Sequence, residues 1–144
     1  MKIHNMTVAD IPRVIPLYLD QYNRVEGGCW TEDTATRRIR QVLTMEDSFS
    51  LIMTDTDRVC GFVMGYFKQY DDILGYTLEE IVIDPHLQNR GLGTRLLSEL
   101  ESRVRSAGAA CIELQAVNDE MHRQYYEKAG FKDAKNFVLK AKWF

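Results

Sequence analysis

The chain has no excess of basic charge, no long apolar run and no cysteine pair at motif spacing. Each absence removes a class of function. Lysine and arginine number 18 against 21 acids, for a net charge of −3, so the electrostatic footprint of a nucleic-acid binder is missing. No apolar stretch approaches a membrane span. The first residues, Met1-Lys2-Ile3-His4-Asn5, hold no apolar signal core. A cytoplasmic protein with neither membrane nor nucleic-acid partner is expected. Cys29, Cys60 and Cys111 form no CxxC or metal-ligand spacing, and three is odd for a disulfide framework. Cys60 and Cys111 lie in strand-like runs and read as small core residues, whereas Cys29 lies in a loop beside Gly27-Gly28. His4, His86 and His122 are scattered, and no metal is expected. Low-complexity tracts and internal repeats are absent. No Gly-Lys-Ser/Thr follows a glycine turn and no G-x-G-x-x-G opens a first βα unit, which argues against ATP- or GTP-type P-loops and dinucleotide folds.

What is present fits one domain over residues 1–144. An apolar share of 45% and a charged share of 27% are ordinary for a globular chain long enough to bury a core. Lys2–Met6 reads as a strand. Thr7, with Asp10 three residues on, reads as a helix start. Ile11, Val14, Ile15, Tyr18 and Tyr22 follow at helical spacing. Pro12 suits a first turn, and Pro16 is expected to kink or split that helix. After a loop at residues 23–29, Thr31 caps a helix with Ala35, Ile39, Val42 and Leu43 on its apolar stripe. Strands are expected at 48–54, 59–70 and 76–83. A helix from Leu92 carries Leu96, Leu97, Leu100 and Val104 and stops at Gly108. A strand at 111–117 and a helix at 119–129 follow. A final strand is expected at 136–144, where Phe137, Leu139, Ala141 and Trp143 alternate with Lys140 and Lys142, with one more short strand near Phe131.

The densest chemical signal is Gln88-Asn89-Arg90-Gly91-Leu92-Gly93-Thr94. It joins the strand run ending Ile81-Val82-Ile83 to a helix. Glycines there allow a tight turn and close approach to a ligand. The helix start adds unpaired amide N–H groups and a positive dipole end, and Arg90 adds a charge. Strand, glycine turn and helix N-terminus together make a cradle for a phosphate.

This loop resembles the coenzyme A loop, Q/R-x-x-G-x-G/A, of the GCN5-related N-acetyltransferase (GNAT) family. Gln88, Gly91 and Gly93 fill its fixed positions. Glu79-Glu80-Ile81-Val82-Ile83-Asp84-Pro85 is similar to the strand and turn that feed it. Tyr126-Glu127-Lys128-Ala129-Gly130-Phe131 resembles the family's second signature. The resemblance covers nearly the whole chain. It implies a mixed α+β fold with a central, mostly antiparallel sheet flanked by helices and splayed at the coenzyme A loop.

It also implies a function, an N-acetyltransferase that moves acetyl from acetyl-CoA to a primary amine of a small molecule or peptide. Residues 88–94 would hold the pyrophosphate, and the strand of Ile81, Val82 and Ile83 would hold the pantetheine arm. A backbone N–H near Val82 or Ile83 would polarise the thioester carbonyl. Glu79 and Glu80 are neighbours on a strand and are expected to face opposite ways, so one alone reaches the acceptor. Glu79, expected to share a face with Ile81 and Ile83, is favoured as the base. Tyr126 would protonate the leaving thiolate, with Tyr125 as the alternative one residue away. The family asparagine seven residues before the tyrosine is Asp119 here, with Asn118 one residue early, so Asn118 pairs naturally with Tyr125 as coenzyme contacts. The acceptor pocket would draw on Tyr22, Glu26, Trp30 and Glu80, by charge and cation–π contact. The alternatives are a coenzyme A-binding module without catalysis and a transferase of longer acyl groups. A homodimer is expected through the aromatic C-terminal run.

Overall fold

Alternating apolar residues build an open five-stranded sheet in which the strands follow in chain order. In a computed structural model, which describes residues 1–144, the strands are β1 (Lys2–Asn5), β2 (Ser48–Asp55), β3 (Arg58–Gln69), β4 (Leu74–Ile83) and β5 (Cys111–Leu114). The first four pair antiparallel and β5 joins β4 in parallel. The helices are α1 (Ile11–Leu19), α2 (Glu32–Leu43), α3 (Leu92–Ser106) and α4 (Glu120–Lys128). None of them is long and apolar enough to cross a membrane. The chain divides into two compact units, Met1–Leu114 and Gln115–Phe144.

The first unit holds the core. Val14, Ile15 and Tyr18 of α1 and Ala35, Ile39 and Val42 of α2 are buried in one cluster with Ile52, Phe62, Met64 and Val82 of the sheet. The intervening strand residues Leu51, Met53 and Val63 point to the other face and are fully buried. The buried stripe of α3, Leu96, Leu97, Leu100 and Val104, packs with β2, β3 and β4.

The expected caps form. Thr7 and Asp10 exchange bonds in a capping box, with Thr7 N donating to Asp10 Oδ2 at 2.9 Å. Thr34 N donates to Thr31 Oγ1 at 3.0 Å. The 3-10 turn Val8–Asp10 feeds α1, which runs through Pro16 without a break. The departure from α-geometry comes later, as the wider π-type turns of Asp20–Val25. Tyr22 is therefore helical.

A register shift between Met64 and Gly65 breaks the β3–β4 ladder: Met64 faces Glu80 and Gly65 faces Leu78, so Glu79 is an extra, bulged residue. Gly65 is required there, because a Cβ on it would sit 2.1 Å from the Thr77 carbonyl oxygen.

The second unit is α4 with its flanks. Asp119 caps α4, accepting from His122 N at 2.8 Å. The helix ends at Gly130 in the left-handed region, φ +90°, with Phe131 N donating to the Tyr126 carbonyl at 3.0 Å. No residue of α4 is fully buried.

Three expectations are corrected. Residues 131–144 form neither the strand at 136–144 nor the short one near Phe131; alternation alone makes no strand without a partner edge. The strand expected at 111–117 ends at Leu114. Cys111, read as core, is exposed because it opens an edge strand.

Candidate active site

β4 pairs with β3 along its length, but with β5 only over Gly75–Leu78. From Glu79 to Ile83 the β5-side edge of β4 therefore has no strand partner. The sheet opens at this point, and the opening leads to the turn before α3. Asp84 closes β4: it is buried, its N–H donates to the Cys60 carbonyl at 2.9 Å, and its carboxylate accepts from His86 N at 2.9 Å.

The turn that follows has two left-handed residues, Asn89 (φ +61°) and Gly91 (φ +76°). Gly91 is the N-cap of α3 and offers no side chain to its first amides. Arg95 N is bonded to the Gly91 carbonyl at 3.0 Å. The N–H groups ahead of it, at Leu92, Gly93 and Thr94, lie in the first helical turn, where no intrahelical acceptor exists. Successive amides in such a turn form an anion-binding concavity, reinforced by the helix dipole. A Cβ at Gly91 would meet nothing within 4 Å, so the backbone conformation selects glycine there. Gly93 is simply helical. The Gln88 side chain turns back to its own strand, donating from Nε2 to the Ile83 carbonyl at 3.3 Å and to Gln21 Oε1 at 2.9 Å. Arg90 is exposed.

Beside the opening lies a cluster of charge and aromatic rings. Arg38 of α2 binds both strand carboxylates: Nη2 donates to Glu79 Oε2 at 2.9 Å and Nε to Glu80 Oε1 at 3.4 Å. The expectation that Glu79 and Glu80 face opposite ways is thus corrected. The bulge at Glu79 breaks the two-residue alternation, and one guanidinium reaches both. Glu80 is the more enclosed, with its side chain 15% exposed against 29% for Glu79. Its Oε2 accepts from Tyr22 Oη at 2.5 Å and its Oε1 from Tyr18 Oη at 3.4 Å. Burial pushes the Glu80 carboxyl above the ordinary carboxylate range, against the Tyr22 hydrogen bond and the Arg38 charge, which pull it down. Burial and then the Glu80 charge raise both tyrosine hydroxyls well above their usual range.

Tyr18 is fully buried and packs against Tyr22 at 4.6 Å and edge-on against Trp30 at 5.2 Å, centroid to centroid. Asn23 fixes the backbone of Trp30 from both sides, at 2.7 and 2.8 Å. Glu26, by contrast, is exposed and taken up by Gln21 Nε2 at 3.1 Å.

Arg38 and Tyr18 were missed as site residues. The available signal was position. Arg38 follows Ala35 by three residues and precedes Val42 by four, which places it along the buried stripe of α2.

In the second unit, the Tyr125 and Tyr126 rings are 5.0 Å apart, and Tyr126 lies edge-on to Phe131 at 5.6 Å. Tyr125 Oη is buried without a hydrogen-bond partner. Burial, then the neighbouring Tyr126, pushes its pKa up to about 12. Asn118 Oδ1 accepts from Arg123 Nη2 at 3.1 Å. Asp119 serves as the α4 cap, which accounts for an acid where an asparagine was expected. No group of three or more His, Cys, Asp or Glu is placed to hold a metal ion.

An open, mostly antiparallel sheet with a glycine turn at the end of a bulged, half-unpaired strand is the architecture that the sequence resemblance implied. The family model described as Acetyltransferase (GNAT) family matches residues 11–131. The chain belongs to that family. It is 26% identical over 141 residues to the uncharacterized N-acetyltransferase YhfO of Bacillus subtilis (strain 168), covering 96% of this chain and 94% of that one. Among solved structures, a probable acetyltransferase matches with a TM-score of 0.82 at 18% identity, over 100% of this chain and 99% of the other. The ribosomal-protein-alanine N-acetyltransferase from Brucella melitensis biovar Abortus 2308 matches with a TM-score of 0.75 at 16% identity, over the full length of both. These two likenesses establish the fold.

Proposed function

We propose that this chain transfers the acetyl group of acetyl-CoA to a primary amine of a small molecule or peptide by direct attack. The observation that carries this reading is the joining of two features on one strand. The Asn89–Gly91 turn offers amides for a pyrophosphate, and Glu79–Ile83 of β4 offers an unpartnered backbone edge. An extended pantetheine arm has the amides and carbonyls to pair with such an edge as an added strand does. The sequence around the turn, Gln88 to Thr94, holds the phosphates in this reading. A β4 N–H at Val82 or Ile83 polarises the thioester carbonyl.

The acceptor arrives as a cation, since a free alkylamine has a pKa near ~10. Glu80 has both oxygens engaged by Tyr18, Tyr22 and Arg38, which suits it to attracting and orienting the ammonium, with Tyr22 and Trp30 as ring faces. Glu79 is more exposed and has one oxygen on Arg38, which suits it to taking the amine proton through a water. The neutral nitrogen then attacks the thioester carbon to give a tetrahedral adduct; as the C–S bond breaks, the thiolate takes a proton from Tyr126, and the second proton lost by the nitrogen returns to the tyrosine. The family motif supports that last role. Asn118 and Tyr125 are proposed as coenzyme contacts, the latter supported by its unpartnered buried hydroxyl.

Calorimetry with acetyl-CoA on wild type and Gly91→Val tests the binding half of the reading. A β-branched residue at φ +76° strains the turn and carries methyl groups to where the ligand must approach. Affinity is expected to fall at least about tenfold, a change of ~1.4 kcal/mol, in a variant with unchanged far-UV circular dichroism. Equal affinity in a folded variant refutes the assignment.

A further inference from the structure

The bulge at Glu79 turns two neighbouring carboxylates toward one guanidinium. A structural ion pair needs a single acid, and arginine closes on one as a two-bond fork. Arg38 instead divides its donors, Nη2 to Glu79 Oε2 at 2.9 Å and Nε to Glu80 Oε1 at 3.4 Å. No other cationic side chain pairs with either acid. Both oxygens of Glu80 are met only by donors, from Tyr18, Tyr22 and Arg38. That pattern fits the ionised carboxylate, which can accept and cannot donate.

The cluster is therefore short of one positive charge. Two carboxylates face one guanidinium. Tyr18 and Tyr22 add hydrogen bonds and no charge, because burial and then the Glu80 carboxylate keep both hydroxyls protonated. Glu26 also acts on Tyr22, but it is exposed and bonded to Gln21 Nε2, and solvent screens it. A surplus charge among half-buried side chains carries a desolvation cost that the folded chain alone does not recover. Such a surplus is retained where a ligand brings the counter-charge.

We propose that Arg38 determines specificity by setting the valence of the acceptor, a step that rests on this cluster being the acceptor site. By neutralising one of two carboxylates it leaves a site for a single ammonium. The substrate class is then a monocationic primary amine with an apolar body, and diamines and polyamines are rejected. One ammonium supplies the missing counter-charge, and the rest of the molecule lies against the half-buried rings of Tyr22 and Trp30. A second ammonium close to the first finds no unneutralised acid and meets the Arg38 guanidinium, and like charges set together at an interface select against that partner. A zwitterion brings no net charge and leaves the surplus in place. Arg38 acts throughout by way of the two glutamates, as a positioning residue.

Three probes of matched length separate the cases. At neutral pH n-butylamine carries one positive charge, 1,3-diaminopropane two, and β-alanine no net charge. Each is titrated calorimetrically into the full-length protein saturated with coenzyme A, and each is assayed with acetyl-CoA for thiol release. Wild type is expected to favour butylamine over both others by at least about tenfold, in Kd and in kcat/KM. Arg38→Gln leaves two uncompensated acids, and the preference should pass to 1,3-diaminopropane. Arg38→Gln/Glu80→Gln restores a single surplus charge and should restore the preference for butylamine; Arg38→Lys should keep it throughout. A purely structural role would weaken all three probes together without exchanging their order. Circular dichroism checks the fold of each variant. If Arg38→Gln does not fold, Glu80→Gln, which removes the surplus, must still lose the preference for butylamine over β-alanine. The same order in wild type and Arg38→Gln overturns the proposal, as does binding of none of the probes. The expected calorimetric orders without thiol release would uphold the role of Arg38 and refute acetyl transfer. Thiol release in an order indifferent to Arg38 would do the reverse.

Discussion

At the scale of single residues, the centre of the account is a triangle of charge: Glu79, Glu80 and Arg38. One guanidinium holds two neighbouring carboxylates, and two tyrosine hydroxyls hold the inner one. In the proposed mechanism Glu80, held by Tyr18, Tyr22 and Arg38, orients the acceptor, and Glu79, the more exposed of the two, takes a proton. Glu79→Gln is therefore expected to lower kcat most near neutral pH. The loss should shrink at high pH, where more of the acceptor is already neutral. A pH–rate profile parallel to that of wild type would contradict the base role, and an effect confined to KM would make Glu79 a docking charge. Tyr126→Phe keeps the ring and removes the proton donor. A kcat loss on the order of 10²–10⁴ is expected, with coenzyme affinity little changed. Should Tyr125→Phe show that loss instead, the unpartnered Tyr125 hydroxyl is the donor.

At the scale of elements, most of the chain was legible and the bulge was not. Thr7 and Thr31 as caps, the α3 stripe from Leu96 to Val104, and Gly91 before α3 announce themselves through period and local chemistry. A β-bulge has no such signature: Glu79-Glu80 within an apolar strand reads as simple alternation. Only the pairing with β3 shows that Gly65 faces Leu78 and leaves Glu79 as the extra residue. Arg38 escaped notice for a similar reason, because its partners lie some forty residues away in sequence. The C-terminal strand was misread in the opposite sense, since alternation was present and a partner was not. The bulge yields its own prediction. Gly65→Ala places a methyl against the Thr77 carbonyl and the Tyr76 hydroxyl, at 2.1 and 2.6 Å. Backbone must move, and a destabilisation of roughly 1–3 kcal/mol is expected in denaturant titration. Because relief shifts Leu78–Glu80, kcat should fall along with stability. A variant as stable and active as wild type would show that the bulge does not set the two carboxylates.

At the scale of the whole molecule, the fold supplies a strand that is half paired and a turn that offers amides, and the family supplies the reaction class. In the proposed reading the acceptor is a cation with an apolar neighbourhood, recognised by the Glu80–Tyr18–Tyr22–Trp30 cluster. The most direct measurement incubates the protein with acetyl-CoA labelled in its acetyl group and a panel of primary amines, and follows both free thiol and label. The account predicts amine-dependent release of coenzyme A with the label recovered on the amine nitrogen, and loss of both signals in Gly91→Val. Acetyl-CoA bound at the Gly91 turn, with no thiol released in the presence of any amine, would contradict it and leave a coenzyme A-binding module in its place.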